Sequence, residues 1–343
     1  MRRLAALLAF LLIPALSCAD TLRIATFNTG LTREGPGLLL RDLERGSDDD
    51  IAAAVASIVA TQPDVLVLQG IDWDMQLRAL KAFEHLLAQS GAAYPHLFAL
   101  QPNTGLATGL DMDGDGRTGG PRDAQGYGRF TGQDGLAILS RLPINTEQVQ
   151  DFSQFLWKDM PQALLPAHKD GAPFPSQAAR QVQRLSATAH WIVPLILPNG
   201  DVLSVMAFQA TPPVFDGPED SNGRRNHDEI RLWQLILNGR FGPPPQPPFV
   251  ITGGANLDPD KGEGRRSAIR ALLADRRLQD PQPNSAAAGP NTVEWEHVGR
   301  RRVDYVLPSA ELEVIGSGVH WPAEAQADAP RHRLVWVDVV YPD

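Results

Sequence analysis

Three aspartates at alternating positions, Asp111, Asp113 and Asp115, lie in one short stretch with Gly114 and Gly116, a set of residues able to hold a cation. Carboxylates at positions 1, 3 and 5, with glycine at position 6 for the sharp turn, open a calcium-binding loop. Position 12 is Arg122 rather than the bidentate glutamate that closes such a loop, and Asp123 follows it. The Ca2+ affinity expected here is therefore below that of a closed loop. Three neighbouring acids repel one another without a cation, which favours an ion that orders the stretch. Acid–base chemistry is also open to His227 beside Asp228, although a surface histidine at a helix start is the simpler reading. Arginines come in groups: Arg224 and Arg225, Arg265 and Arg266, Arg300 to Arg302, and Arg331 with Arg333. Brought to one place, they make an anion-binding mouth.

The chain that must position these groups has 343 residues, 43% of them hydrophobic and 21% charged, with one cysteine, 30 glycines and 29 prolines. That apolar fraction excludes a disordered chain, the aperiodic Gly and Pro exclude collagen-like structure, and one cysteine excludes an internal disulfide framework. Arg2 and Arg3 precede an apolar run at residues 4–16, broken by Pro14 and too short to span a bilayer. With Ser17, Cys18 and Ala19 next, residues 1–19 read as a secretory signal peptide and residues 20–343 as the mature domain. The alternative is a lipoprotein anchored through Cys18, although Ala15 stands where a large aliphatic is usual. Either way the protein is expected to be exported, to the periplasm or beyond. Net charge is −9, and −11 once Arg2 and Arg3 are removed. So acidic a body repels nucleic acid over most of its surface. No other stretch is apolar and long enough to predict a transmembrane helix.

Thr21–Asn28 alternates polar and apolar residues and predicts a strand. Ser47 and Asp48-Asp49-Asp50 suit a helix N-terminus, and Ile51, Val55, Ile58 and Val59 continue it at helical spacing until Pro63. Residues 64–68 predict a buried strand and 73–89 an amphipathic helix ending near Gly91. Strand, helix, strand, helix implies adjacent parallel strands. A Gly-, Asp- and Arg-rich segment at about 101–133 is longer than an ordinary loop, which suggests function or ligand-induced order. Beyond it come a strand at 135–140, an irregular stretch at 151–179, and a hairpin of 183–193 with 202–208 around Asn199-Gly200. Helices at 226–238 and 264–274 and strands at 249–252, 302–307, 312–316 and 334–341 complete one domain of packed sheets with outer helices.

Five segments occur in a telling order: Ile24-Ala25-Thr26-Phe27-Asn28; Asp64-Val65-Leu66-Val67-Leu68-Gln69; Gly135-Leu136-Ala137-Ile138-Leu139-Ser140-Arg141; Val250 to Pro259; and Val303-Asp304-Tyr305-Val306-Leu307, followed by Arg331-His332. Together they resemble the endonuclease/exonuclease/phosphatase superfamily, the deoxyribonuclease I-like fold. The resemblance implies an α/β, four-layer α/β/β/α sandwich of two mixed β-sheets with outer helices, and catalytic residues at the end where strands finish. It implies phosphate-ester hydrolysis with Mg2+ or Mn2+ held by carboxylates. It also implies a histidine base oriented by an aspartate, and asparagines that position water and phosphate.

Carried over position by position, Asn28 matches the asparagine ending the first strand. Asn256 matches the last residue of Gly-Asp-x-Asn, which here reads Gly253-Gly254-Ala255-Asn256. His332 matches the terminal histidine, and Asp304 is its orienting partner. The departures fall on the metal ligands: Gln69-Gly70 replaces Gln-Glu, and Gly254 replaces aspartate. Gln209 stands where a histidine commonly follows the preceding strand, a substrate-facing position. Asp72 is the best replacement ligand, with Asp74 and Asp258 behind it. Residues i and i+2 of a straight strand stand about 7 Å apart, so Asp72 depends on Gly70 turning the chain. Asp72 and Asp74 equally suit a helix start, and Asp258-Pro259 an ordinary turn. Arg224 and Arg225 are the expected substrate-binding arginines. The expected protein is an exported, divalent-metal-dependent phosphoesterase with an altered metal site; the alternative is a non-catalytic, phosphate-binding descendant of the fold. Its partner is a phosphate ester, and strong general affinity for nucleic acid is not expected.

Overall fold

The structure is a computed structural model that describes residues 21–322 and 331–341. Residues 1–19, expected to be a signal peptide, lie outside the described residues, and so does Cys18. In chain order the elements are β1 (Thr21–Asn28), α1 (Leu38–Arg45), α2 (Asp49–Thr61), β2 (Val65–Ile71), α3 (Arg78–Gln89), β3 (His96–Phe98), β4 (Gly135–Ser140), β5 (Gln150–Asp151), α4 (Gln177–Val182) and β6 (Ala189–Ile196). They continue with β7 (Val202–Gln209), α5 (Ser221–Leu237), β8 (Phe249–Gly254), α6 (Ser267–Leu273), β9 (Val293–Trp295), β10 (Gly299–Arg301), β11 (Asp304–Pro308), β12 (Glu313–His320) and β13 (Leu334–Val340).

Two mixed sheets result. The first runs β12-β13-β1-β2-β4-β3 and the second β11-β8-β7-β6-β5, with β9 and β10 a separate hairpin. β1 and β2 are parallel, as the strand–helix–strand order requires, and so are β7 and β8; the other pairs are antiparallel. Side chains alternate between faces along each strand. Ile24, Val65, Val67 and Ile138 therefore point inward to meet Trp191, Val193, Val205 and Val250 of the second sheet. Their neighbours Ala25, Leu66, Leu68 and Leu139 point outward, under Leu39, Leu43, Ile58, Leu80 and Phe83 of α1 to α3. On the far side, Met206, Phe208 and Ile251 lie beneath Ile230, Trp233 and Ile269 of α5 and α6. This is the α/β/β/α sandwich that the resemblance implied.

Some boundaries differ from the sequence reading. α1 is an additional helix of eight residues between Gly37 and Gly46, both at positive φ, with Leu39 and Leu43 as its buried pair. α3 begins at Arg78 rather than residue 73, because the Asp74 carboxylate accepts the N–H groups of Arg78 and Ala79 at 2.9 Å each. β6 starts at Ala189 rather than residue 183, and at the end of the stretch read as irregular residues 177–182 form α4, capped where Ser176 Oγ accepts Ala179 N–H at 3.1 Å. The β9–β10 hairpin was not anticipated. Among the described residues no helix is long and apolar enough to cross a membrane.

One buried polar group sets an acid limit on this core. His190 of β6 is fully buried against Phe208 and Trp233. Its ring nitrogens meet Ser186 Oγ at 2.6 Å and the Glu229 carbonyl at 3.0 Å. Burial pushes its pKa down to about 3, well below the value near 6.5 of an unfolded chain. The unfolded chain thus takes up the proton first, and stability falls as pH drops through 6.5. Between pH 7 and pH 5 this one group removes about 2 kcal/mol. Urea unfolding of wild type and His190→Gln at both pH values tests this: the variant should lose about 2 kcal/mol less on acidification, and equal losses would refute it.

Candidate active site

The end of the sandwich where the candidate residues meet is built by strand register. Parallel pairing of β1 with β2 sets Asn28 beside Gln69. Pairing of β7, β8 and β11 puts Gln209, Gly254 and Asp304 in one row across the second sheet. His332 reaches that row from the segment just before β13. It is held there because β9 pairs with its backbone: Val293 bridges His332, Glu294 N–H donates to the Arg331 carbonyl at 3.2 Å, and Arg333 N–H donates to the Thr292 carbonyl at 2.7 Å.

His332 Nδ1 lies 2.9 Å from Asp304 Oδ2 and 3.1 Å from Oδ1. A carboxylate only accepts, so Nδ1 carries the proton and Nε2 keeps its lone pair. No hydrogen bond occupies Nε2 among the described residues. Asp304 is 1% exposed, and Thr292 Oγ donates to its Oδ2 at 2.8 Å. The same hydroxyl oxygen accepts the N–H groups of Val303 and Asp304, at 3.0 and 3.1 Å. Thr292 thus fixes the carboxylate that fixes the imidazole. The Trp295 ring stands edge-on to His332 at 5.9 Å. Neither Thr292 nor Trp295 was singled out in the sequence, because the hairpin that delivers them gave no strand signal.

The positions expected to hold metal behave differently. Gly70 has φ +72°, and a Cβ there would lie 2.5 Å from Asn28 Oδ1 and 2.7 Å from the Gly30 backbone nitrogen. A Cβ at Gly254 would collide with Gln209 Oε1 and meet Asp304 Oδ1 at 3.4 Å. At each place where the resemblance expects a carboxylate, an amide side chain covers a glycine. Asp72 does not replace them. Its Oδ1 accepts Thr32 Oγ–H at 2.7 Å and Asp134 N–H at 3.1 Å, and its Oδ2 accepts Arg33 N–H at 3.0 Å. Burial raises its pKa against these donors. Asp258 is similarly spent: Oδ1 accepts Asp260 and Lys261 N–H, and Oδ2 accepts Arg302 N–H at 2.9 Å. Both aspartates staple loops, which corrects the expectation of rescue ligands.

One acid at this end was not foreseen. Asp134, just before β4, is held at φ +52°, and no hydrogen bond reaches its carboxylate among the described residues. Burial and the charge of Asp72 push its pKa up to about 6, against the pull of His332. Its signal was a lone aspartate at the end of a long loop, indistinguishable in sequence from a solvated turn. Mg2+ is usually held through one or two carboxylates in near-octahedral oxygen geometry. With Gly70, Gly254 and an Asp72 that already accepts three hydrogen bonds, the described residues do not form the carboxylate set implied for Mg2+ or Mn2+.

The remaining site residues divide. Asn256, at φ +51°, donates Nδ2–H to the Ala210 carbonyl at 2.7 Å and closes the β8 end against β7. Gln209 Oε1 is buried without a hydrogen-bond partner among the described residues, above Gly254 and near Asp304. Arg225 is buried, and its guanidinium donates to the carbonyls of Leu185, Gln125, Arg184 and Ser186. It is therefore a structural tie and not a substrate contact. Arg224 Nε donates to the Glu219 carbonyl at 3.0 Å. Arg265 pairs with Asp220, Arg300 with Glu294 and Arg302 with Asp280, so much of the expected anion mouth is neutralised locally.

Asp111, Asp113 and Asp115 offer ligand oxygens within 4.8 Å of one another, the one such acidic group among the described residues. Asp111 Oδ1 and Oδ2 accept the N–H groups of Gly114 and Gly116, at 2.6 and 2.9 Å. Asp123 lies outside this group, and its two oxygens accept Met112 and Gly120 N–H. Arg122 approaches Asp113 at 4.0 Å.

The two-sheet sandwich with outer helices, with half-buried His332 meeting buried Asp304 at one end, is a phosphoesterase-type hydrolase fold. Residues 25–327 match the endonuclease/exonuclease/phosphatase family, and the chain belongs to that family. It resembles a family protein from Beutenbergia cavernae with 20% identity and a TM-score of 0.55, covering 93% of this chain and 71% of the other. A family protein from Leptotrichia buccalis gives 15%, 0.54, 93% and 100% in the same order. The human nocturnin catalytic domain, solved with a bound sulfate anion, gives 15%, 0.51, 94% and 95%. No curated protein matches the chain.

Proposed function

We propose that the protein hydrolyses a phosphate ester at the His332–Asp304 end of the sandwich, and that it does so after export. The observation that carries this reading is the oriented imidazole: Nδ1 is held by a buried carboxylate, itself held by Thr292, and Nε2 has no hydrogen-bond partner among the described residues. Such a nitrogen takes the proton of a water attacking phosphorus. Asn28 and Asn256, at the ends of β1 and β8, and the unpartnered Gln209 Oε1 border the same end. Family membership supplies the reaction class. The substrate is a small phosphodiester or phosphomonoester rather than long duplex nucleic acid, since the net charge is −9 and several local arginines are already paired.

A second reading is favoured by one observation. Amide side chains cover both Gly70 and Gly254, which suits a descendant that binds phosphate without hydrolysing it. Purified mature protein offered bis(4-nitrophenyl) phosphate and 4-nitrophenyl phosphate, in EDTA and then with Mg2+ or Mn2+, separates the two. Turnover in any of these conditions that disappears in His332→Ala supports hydrolysis. Absent turnover together with measurable phosphate binding supports the binder.

The Asp111 loop is proposed to take Ca2+, with an affinity limited by the absence of a closing glutamate. Ion binding to the folded state alone raises the melting temperature. Millimolar Ca2+ should therefore raise Tm by a few degrees in wild type and not in Asp113→Ala. An equal rise in both, or none in wild type, would remove the site.

A further inference from the structure

His227 and Asp228 open a chain of hydrogen bonds that the phosphate-ester reading does not use. His227 Nε2 lies 3.0 Å from Ser267 Oγ, and His227 Nδ1 lies 3.0 Å from Asp228 Oδ1. Asp228 is fully buried, and its other oxygen accepts Trp157 Nε1–H and Leu164 N–H, each at 2.7 Å. Ser267 is exposed, whereas His227 keeps only 12% of its side chain accessible. The three residues come from α5 and α6, which pack together through Ile230, Trp233, Ile269 and Leu272 over the second sheet. They share no residue with the His332–Asp304 pair.

The protonation pattern follows from donors and acceptors. Asp228 Oδ1 can only accept, so Nδ1 of His227 carries the proton. Nε2 then keeps its lone pair and accepts the Ser267 hydroxyl proton. A hydroxyl whose proton already points at an oriented imidazole is the arrangement that activates a serine nucleophile. We propose that Ser267 is a nucleophilic serine that takes up an acyl group from a small carboxylic ester, with His227 as its base and Asp228 as the positioning residue.

The step balances without any further reagent. Ser267 Oγ bonds to the ester carbonyl carbon while its proton passes to His227 Nε2. The bond from that carbon to the alcohol oxygen then breaks, and the leaving alkoxide takes the proton back from Nε2. An acyl-serine and an alcohol are the products, and water releases the acid by the same sequence in reverse. Because Ser267 is exposed, small activated esters reach it without any rearrangement of α5 or α6.

The probe is an alkyl fluorophosphonate on the full mature chain, with the labelled peptide read by mass spectrometry and the rate by time course. Ser267 should label at least about 100-fold faster than in His227→Gln, the lower end of what a positioned base contributes. Asp228→Asn can still accept the Trp157 and Leu164 N–H groups on its amide oxygen but presents N–H to Nδ1, which forces the wrong imidazole tautomer. Its labelling should fall comparably while its thermal midpoint stays near that of wild type. His332→Ala should label as wild type does, which separates this site from the phosphate-ester site. A Ser267 rate no faster than that of other exposed serines, or unchanged in folded His227→Gln, would overturn the assignment.

Discussion

His332→Ala should lower kcat/KM for a phosphate ester by about 10²–10⁴-fold, the contribution of a positioned general base. It should also lower the melting temperature, because the change leaves the buried Asp304 carboxylate without its imidazole partner. Asp304→Asn should cost a comparable factor in rate. Its amide would offer N–H to Nδ1 and turn the lone pair of the imidazole away from the attacking water. Thr292→Val removes the hydrogen bond to the carboxylate and the two that its oxygen accepts from Val303 and Asp304 N–H, and should cost at least about tenfold in rate. Steady-state kinetics on folded variants give all three numbers. If His332→Ala retains the wild-type rate, the dyad is not the base and the binding reading replaces it.

The pairing of residues 304 and 332 was legible because both ends of it sit in strand-ending motifs whose order matches the family. Asn28, Gln209 and Gly254 were legible for the same reason: register carries a residue at a strand end to a fixed place in the sheet. What the sequence hid was contributed by loops. Asp72 and Asp258 read as spare acids near the site, and only the folded loops show every oxygen committed to backbone or hydroxyl donors. Arg225 read as a phosphate ligand because it is basic and near a helix start. Its four carbonyl partners come from residues 39 to 100 positions away, a convergence no local pattern encodes. Ser267 and His227 stand 40 residues apart on separate helices, so His227 looked like a surface histidine until α6 was packed onto α5.

The two glycines where the resemblance expects carboxylates should also differ in how easily they accept a side chain. Gly70→Ala is expected to destabilise the fold by about 3 kcal/mol, a fall of roughly 4–5 °C in Tm for a chain of this size. The positive φ of +72° opposes any side chain, and the obstacles are Asn28 Oδ1 at 2.5 Å and a backbone nitrogen, that of Gly30, at 2.7 Å. A backbone atom between two strand ends cannot move aside without disturbing the pairing of β1 and β2. Gly70→Glu should therefore fold poorly and recover no activity. Gly254 has no such backbone constraint. Its obstacle is the end of the flexible Gln209 side chain, whose Oε1 has no partner to lose among the described residues. Gly254→Ala should cost about 1 kcal/mol or less, and adding Gln209→Ser should recover most of it, a coupling of the size seen for residues in direct contact. Urea unfolding of the three variants measures both costs. Equal penalties at residues 70 and 254 would show that side-chain crowding, and not backbone conformation, holds the site in its present form. The expected inequality separates a constraint of backbone conformation at 70 from side-chain crowding at 254, and Gly254→Asp with Gln209→Ser is the variant that places a carboxylate beside Asp304.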